Sequence, residues 1–272
     1  MSRTFTRTRS YGKSRLIIAL VFVVFSLISY LGSKEYNPVT GENQYISITP
    51  RQEITLGLQA APRMIRQYGG IYPDPRYQNL VKKVGEKIVR NSQASKTPYK
   101  FDFHLLNDGR TINAFALPGG QVFITVALLR KLKTEGQLAG VLGHEIGHVV
   151  ARHSAQQMAK QNLTNGILNG ILIASDPASQ SGQMAAYLGK LINLKFGRDD
   201  ELQADRLGVK LMSQSGYNPD SMIGVMKILQ SVGGGSQAEF FSTHPNPAHR
   251  IEKIKETIQK VFPNGIPRNL VN

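Results

Sequence analysis

The sequence predicts an α+β fold, mainly helical, with a small antiparallel sheet just ahead of a long core helix. Three observations carry this: period-two alternation around residues 99–105, apolar spacing of three and four over much of the chain, and turn signals that separate the two patterns. Residues 1–15 are basic, rich in Ser and Thr and free of acids, and they run into the uncharged apolar stretch 16–31. Its 16 residues lie at the short edge of a bilayer-spanning helix and just beyond the apolar region of a secretory signal. An uncleaved signal anchor is the reading adopted, because the best cleavage site, Leu31-Gly32-Ser33, has a small residue at only one of the two required positions. A cleaved signal peptide and a mitochondrial transit peptide also fit the composition. The chain therefore divides into a targeting segment, 1–33, and one domain, 34–272. The positive-inside rule holds the Arg cluster on the cytoplasmic side and sends the domain across the membrane. That places it at a bacterial inner membrane facing the periplasm, or free in the periplasm if cleaved, with the mitochondrial inner membrane as the alternative.

A polar linker, KEYNPVTGENQ, follows. Thr49 before Pro50, with Gln52 three residues on, starts a helix that Gly69-Gly70 stops. Asp74-Pro75 opens a second, in which Leu80, Val84 and Ile88 recur every four residues. Tyr99, Phe101, Phe103 and Leu105 then alternate with Lys100, Asp102 and His104, which makes a strand. Asn107-Asp108-Gly109 is a turn, INAFAL a second strand, Pro118-Gly119-Gly120 another turn and QVFIT a third strand. From Ala127 onward the pattern is mostly helical, with loops near 175–182, 214–219 and 233–236.

Composition narrows the chemistry. Zero cysteine excludes a disulfide framework, Cys-rich metal sites, iron–sulfur clusters, a thiol nucleophile and a lipidated cysteine anchor. Net charge is +15, of which Arg3, Arg7, Arg9, Lys13 and Arg15 supply five, leaving +10 for the remainder. Those remaining basic residues are scattered, without the basic–aromatic motif of single-strand binders, so no nucleic-acid partner is expected.

Residues 134–161 carry the informative motif. Thr134 with Gln137 caps a long helix whose Ala139, Leu142, Ile146 and Val149/Val150 mark a core face. On it lie His144, Glu145 and His148, an H-E-x-x-H pattern. A four-residue step advances a helix about 400° and about 6 Å, so both imidazoles project one turn apart and can share a zinc ion. Glu145, about 100° round from His144, stands beside that ion, where it can take a proton from the attacking water. Such sites need a third protein ligand. The H-x-x-G-x-x-H extension is absent, since Ala151 and Ser154 occupy its Gly and His positions. His153, about 500° past His148 on one continuous helix, should point away. Downstream, Glu201 and Asp205 stand four apart on a second helix, suited to one ligand and one carboxylate that orients a ligand histidine. Spacing alone also fits Asp199, Asp200 and Glu201 as a solvated acidic helix start.

H-E-x-x-H, then E-L-Q-A-D some fifty residues on, then S-T-H-P-N-P-A-H-R-I, resembles the zinc metallopeptidase (gluzincin) family. That family includes the HtpX heat-shock protease, the type I CaaX prenyl protease and the periplasmic β-barrel assembly-enhancing protease. The resemblance runs from Tyr36 to about Ile254 and takes in NPVTGENQ, NAFALPGG and GYNP. It implies a zincin-like domain, one Zn²⁺ held by His144, His148 and Glu201, and Glu145 as general base. It further implies Asp205 behind a ligand and His244 donating to the developing oxyanion. Arg250 either orients the site or bridges helices, and His249 is a surface residue. Unlike the integral-membrane members, only 16–31 qualifies as a span, NLTNGILNGILIA being too short and too rich in Gly and Asn. The sequence ends about 20 positions after the H-R-I motif, so the C-terminal helical-repeat domain of the assembly-enhancing member is not expected. The expected activity is zinc-dependent endopeptidase cleavage of unfolded or misassembled envelope proteins. Substrate would be held by strand addition along Asn113, Ala114, Phe115, Ala116 and Leu117. A membrane-tethered chaperone or assembly factor that retains the zinc site is the alternative.

Overall fold

The computed structural model describes residues 9–174, 196–232, 240–244 and 249–272. The expected loops at 175–182 and 233–236, Arg3 and Arg7, and residues 245–248 of the His-Pro-Asn-Pro-Ala run lie outside the described residues. Contacts form two compact units: residues 1–36, 42–47 and 155–194, and residues 37–41, 48–154 and 195–272.

The first unit is built on α1 (Arg9–Gly32), longer than its 16-residue apolar core suggested. Residues 13–32 form the one helix, among the described residues, long and apolar enough to cross a membrane. Where a polar linker was expected, β1 (Lys34–Asn37) and β2 (Glu42–Tyr45) pair as a hairpin. Asn37 makes the turn possible, its Oδ1 accepting from Val39 N at 2.9 Å, while Gly41 takes φ +75° to close it. Polar turn-forming residues were legible; that they closed a ladder was not.

The second unit opens with α2 (Pro50–Gln67), started by the expected capping box between Thr49 and Gln52. Helix α3 (Pro75–Arg90) is capped by Asp74 and buries Val81, Val84 and Ile88. A short 3-10 turn, Gln93–Lys96, leads to the sheet of β3 (Asp102–Leu106), β4 (Ala114–Ala116) and β5 (Gln121–Thr125). The α+β class holds, but the sheet is mixed rather than antiparallel. Strand order is β3-β5-β4, with β5 parallel to β3 and antiparallel to β4. The 107–113 connection carries the chain past the central position, so the third strand fills it and β4 is left at an edge. That edge cannot be read from alternation, because period two reports which face is buried and says nothing about which neighbour pairs. The first strand also starts three residues late, at Asp102.

After α4 (Val126–Leu129), helix α5 (Glu135–Val150) runs through the core and is buried on every side from Leu138 to Val150. It does not continue to 161. Arg152 adopts φ +57°, and α6 (His153–Ala174) starts in a new direction. Helices α7 (Arg198–Gln214) and α8 (Asp220–Val232) cover α5, followed by the short α9 (Phe240–Thr243) and α10 (Arg250–Val261). The α5–α7 crossing depends on missing side chains. A Cβ on Gly147 would lie 2.9 Å from Ala204 O, and one on Gly208 would lie 3.1 Å from His144 N. Gly143 and Gly147, each one residue before a histidine, thus let the α7 backbone approach close enough for its carboxylates to reach the imidazoles.

Candidate metal and catalytic site

His144, Glu145 and His148 lie on α5, with Glu201 and Asp205 on α7. All five are buried, as is His244 just after α9. His144 Nε2 and His148 Nε2 face each other at 3.0 Å, and a Glu201 oxygen lies 3.4 Å from each. A tetrahedral zinc with bonds of about 2.0–2.1 Å keeps its donors about 3.4 Å apart, close to the spacing here, where Glu201 Oε2 faces His144 Nε2 and Glu201 Oε1 faces His148 Nε2. His244 joins them, its Nδ1 3.0 Å from Glu201 Oε1, and potential ligand atoms of all four residues lie within 4.8 Å of one another.

Charge supports the same reading. Three buried carboxylates, Glu145, Glu201 and Asp205, face one buried guanidinium, Arg250. That excess of negative charge, taken out of water, calls for a cation. Burial opposes a proton on His144, but the Asp205 and Glu201 carboxylates override it and raise its pKa to about 9. Burial would also raise Glu201, yet the imidazoles of His144, His148 and His244 packed around it hold it well below the usual carboxylate range. Glu145 differs: burial moves its pKa up, partly offset by His244, and neither of its oxygens has a hydrogen-bond partner among the described residues. A buried carboxylate left without partners costs stability, as reactive groups often do.

The ligand tautomers are set from behind. His144 Nδ1 meets Asp205 Oδ1 at 2.9 Å, and Asp205 is itself gripped by Arg250 through Nε at 2.6 Å and Nη2 at 2.9 Å. A proton on Nδ1 donated to Asp205 leaves the Nε2 lone pair facing the other donors. Arg250 therefore orients the site, one of its two expected roles, while His249 is exposed with φ +62° as the expected surface residue.

For His148 the expectation about His153 fails. The break at Arg152 turns His153 back, and its Nδ1 lies 2.8 Å from His148 Nδ1. His153 Nε2 donates to Gln203 Oε1 at 2.8 Å, and burial lowers its pKa, which leaves Nδ1 as an acceptor. His148 Nδ1–H must then donate to it, again freeing Nε2. The rotation argument failed because it assumed one helix, and only the left-handed φ of Arg152 undoes that. A buried ion pair with Glu53, 2.7 Å from Arg152 Nε, holds the break. Asn37, also not anticipated, donates from Nδ2 to Val150 O at 2.8 Å and satisfies the last turn of α5. Phe196 stacks on His148 at 4.2 Å and Phe240 on His244 at 4.5 Å. Replacing His153 with Ala is expected to weaken zinc affinity about 10–100-fold in a folded protein. Competition against a chromophoric chelator measures this, and an unchanged affinity would show that His153 does not orient the ligand.

Strand β4 sits beside the site. Ala116, Leu117 and Pro118 line a small recess together with His148, Val149 and Arg152. Leu117 N donates to Gln121 O and Thr125 N to Asn113 O, so alternate residues 113, 115 and 117 bond inward to β5. Ala114 and Ala116 therefore direct their main-chain groups away from β5, toward the side that no described strand pairs, where Ala114 is buried and Ala116 half-buried. Asn113 is buried, reaching Tyr68 OH at 3.3 Å, and Phe115 stacks on Phe123.

The model of Peptidase family M48 matches residues 75–258, which contain His144, Glu145, His148, Glu201, Asp205, His244 and Arg250. The mitochondrial metalloendopeptidase OMA1 of Schizosaccharomyces pombe is 32% identical over 236 residues, 84% of this chain and 68% of that protein. The beta-barrel assembly-enhancing protease of Escherichia coli K12 is 31% identical over 245 residues, 86% of this chain. The metalloprotease YcaL of the same organism is 28% identical over 185 residues, 67% of this chain and 70% of that protein. The chain spans about half the length of the assembly-enhancing proteases it matches, 49% of that from Yersinia pestis and 50% of that from E. coli K12. With the motif placed on α5, the carboxylates on α7 and the family match spanning both, the chain belongs to Peptidase family M48.

Proposed function

We propose that this protein is a zinc-dependent endopeptidase in which His144, His148 and Glu201 hold the metal and Glu145 is the general base. The observation that carries this reading is the convergence of two imidazole nitrogens and one carboxylate at 3.0–3.4 Å, with the unpartnered Glu145 carboxylate beside them. A zinc ion there supplies Lewis-acid polarisation of the scissile carbonyl and of the attacking water. Glu145, its pKa raised by burial, accepts the proton of that water and delivers it to the departing amine. His244 Nε2, 3.7 Å from Glu145 Oε1 and without a hydrogen-bond partner among the described residues, faces the place next to Glu145 where the oxyanion forms, and a proton carried there would be donated to it. Asp205, held by Arg250, keeps His144 in the tautomer that binds.

The substrate chain lies extended along β4, pairing with the outward main-chain groups of Ala114 and Ala116. Recognition through main chain suits unfolded or misassembled proteins, and two relatives are named for enhancing β-barrel assembly. Helix α1 tethers the chain, its basic end on the cytoplasmic side of a bacterial inner membrane and the catalytic unit in the periplasm. The OMA1 relatives make the mitochondrial inner membrane the second location.

The test is zinc content and degradation of an unfolded protein by the detergent-solubilised full chain, before and after dialysis against a chelator. Loss of about one zinc per chain together with activity, and return of both on adding Zn²⁺, is the expected outcome. A folded, metal-free sample that cleaves at the original rate would overturn the reading.

A further inference from the structure

Helix α1 presents its large apolar residues outward: Phe25 is 71% exposed, Ile28 64% and Ile17 63%. Its covered stripe is small and polar instead. Arg15, Ala19, Val23, Ser26, Tyr30 and Ser33 recur at steps of four and three, and all are at least partly buried. They are covered by α6, whose Ala159, Leu163, Gly166, Gly170 and Ile173 repeat the same spacing. The two helices run antiparallel. Arg15 Nε donates to Ile173 O at 3.1 Å at one end; at the other, Ser26, Ser29 and Tyr30 share a groove with Ala159, Asn162 and Leu163.

Between those ends the contact is too close for any side chain on α6. A Cβ on Gly170 would lie 2.6 Å from Val23 Cγ2 and 3.0 Å from Ala19 O, and one on Gly166 would overlap Ser26. Gly166 and Gly170 form a G-x-x-x-G pair, the spacing that brings helix backbones together in lipid. Residues 161–174 carry no charge. From Ala159 to Ile173 the contact covers 14 steps of helix, about 21 Å of a hydrocarbon layer about 30 Å thick.

We infer that the C-terminal half of α6, residues 159–173, is embedded in the bilayer beside α1, so that the membrane part of this protein is a helix pair. The inference rests on α1 being the anchor. A bilayer that surrounds α1 down to Arg15 also surrounds the segment in contact with it down to Ile173, because lipid chains cannot pass between backbones that close. The helical hydrogen bonds of α6 satisfy its main chain there. Ile167, Leu168, Ile171 and Ile173 favour insertion, whereas the amides of Asn165 and Asn169, both exposed, oppose it. Residues 161–174 fail as a span by composition alone. They enter because a partner carries them, and the glycines that weaken their apolar signal are what allow the pairing.

The lack of native cysteine makes labelling clean. Single substitutions Val21→Cys, Ile171→Cys and, as a water reference on α3, Lys83→Cys are each coupled to an environment-sensitive fluorophore. The full chain is reconstituted in phosphatidylethanolamine–phosphatidylglycerol vesicles with spin-labelled acyl chains. The expected result is a similar loss of emission at positions 21 and 171, with none at 83. If position 21 is quenched and 171 behaves like 83, the inference falls and the anchor stands. Without quenching at 21, the anchor and the inference fall together. Adding Gly166→Leu and Gly170→Leu should return position 171 to the emission of water and leave 21 unchanged; quenching retained at 171 would overturn the pairing.

Discussion

Glu145→Gln is expected to keep its zinc and lose its turnover. The side chain lies beside the three donors without contributing to them, so an amide of the same size leaves the two imidazoles and Glu201 in place. What it removes is the proton acceptor. A general base contributes about 10²–10⁴ in rate, and the loss should appear in kcat against an unfolded protein while KM changes little. Folding should not suffer, because burial raises the Glu145 pKa and neither oxygen has a hydrogen-bond partner among the described residues. Metal analysis alongside single-turnover cleavage reads both halves. Wild-type turnover in the Gln variant would remove Glu145 from the mechanism. The same variant separates a protease from a chaperone with a retained metal site, since a holding function in cells should survive it.

The second large effect is on stability. Arg250→Leu takes away the guanidinium that holds Asp205 at 2.6 and 2.9 Å and leaves His144 Nδ1 as the remaining partner of that buried carboxylate. Burial pushes the Asp205 carboxyl up, and the guanidinium is the main group that brings it below the usual range. Removing one partner of a buried pair costs about 3–5 kcal/mol, which for a unit of this size lowers the melting temperature by about 6–20 °C. Replacing both, Arg250→Leu with Asp205→Leu, should recover part of that loss, because Asp205 is no longer stranded although Glu201, 3.3 Å from Arg250 Nη2, still loses its guanidinium. It should not recover zinc affinity, because His144 Nδ1 then has no acceptor to hold its tautomer. Thermal melts and zinc titrations of the three proteins distinguish the two roles. A melt of Arg250→Leu equal to the parent's, or full zinc affinity in the double variant, would show that the pair neither stabilises nor orients.

Legibility followed the range of the interaction. The Thr49, Asp74 and Thr134 caps are local hydrogen bonds within three residues, and all three helices start where their caps predict. The H-E-x-x-H spacing is likewise local, since one helical turn places both imidazoles whatever surrounds them. Glu201 was ambiguous for the opposite reason. An acidic first turn looks the same whether it faces solvent or a metal, and only the close crossing at Gly147 and Gly208 decides that this one is buried. His153 was misplaced because a single left-handed residue, Arg152, resets the direction of the chain, and the Glu53 that holds it comes from α2, 99 residues earlier.

By itself, then, the sequence determined the helix starts, the pair of imidazoles with a carboxylate beside them, the absence of thiol chemistry and one apolar segment fit for a bilayer. Each is set by covalent spacing or composition. Tertiary structure decided that β4 is an edge strand, that Glu201, Asp205 and Arg250 converge on the histidines, that His153 turns back onto His148, and that α6 lies along α1. Those outcomes depend on contacts between residues far apart in the chain. Their strength comes from burial and close backbone approach, which no local pattern records.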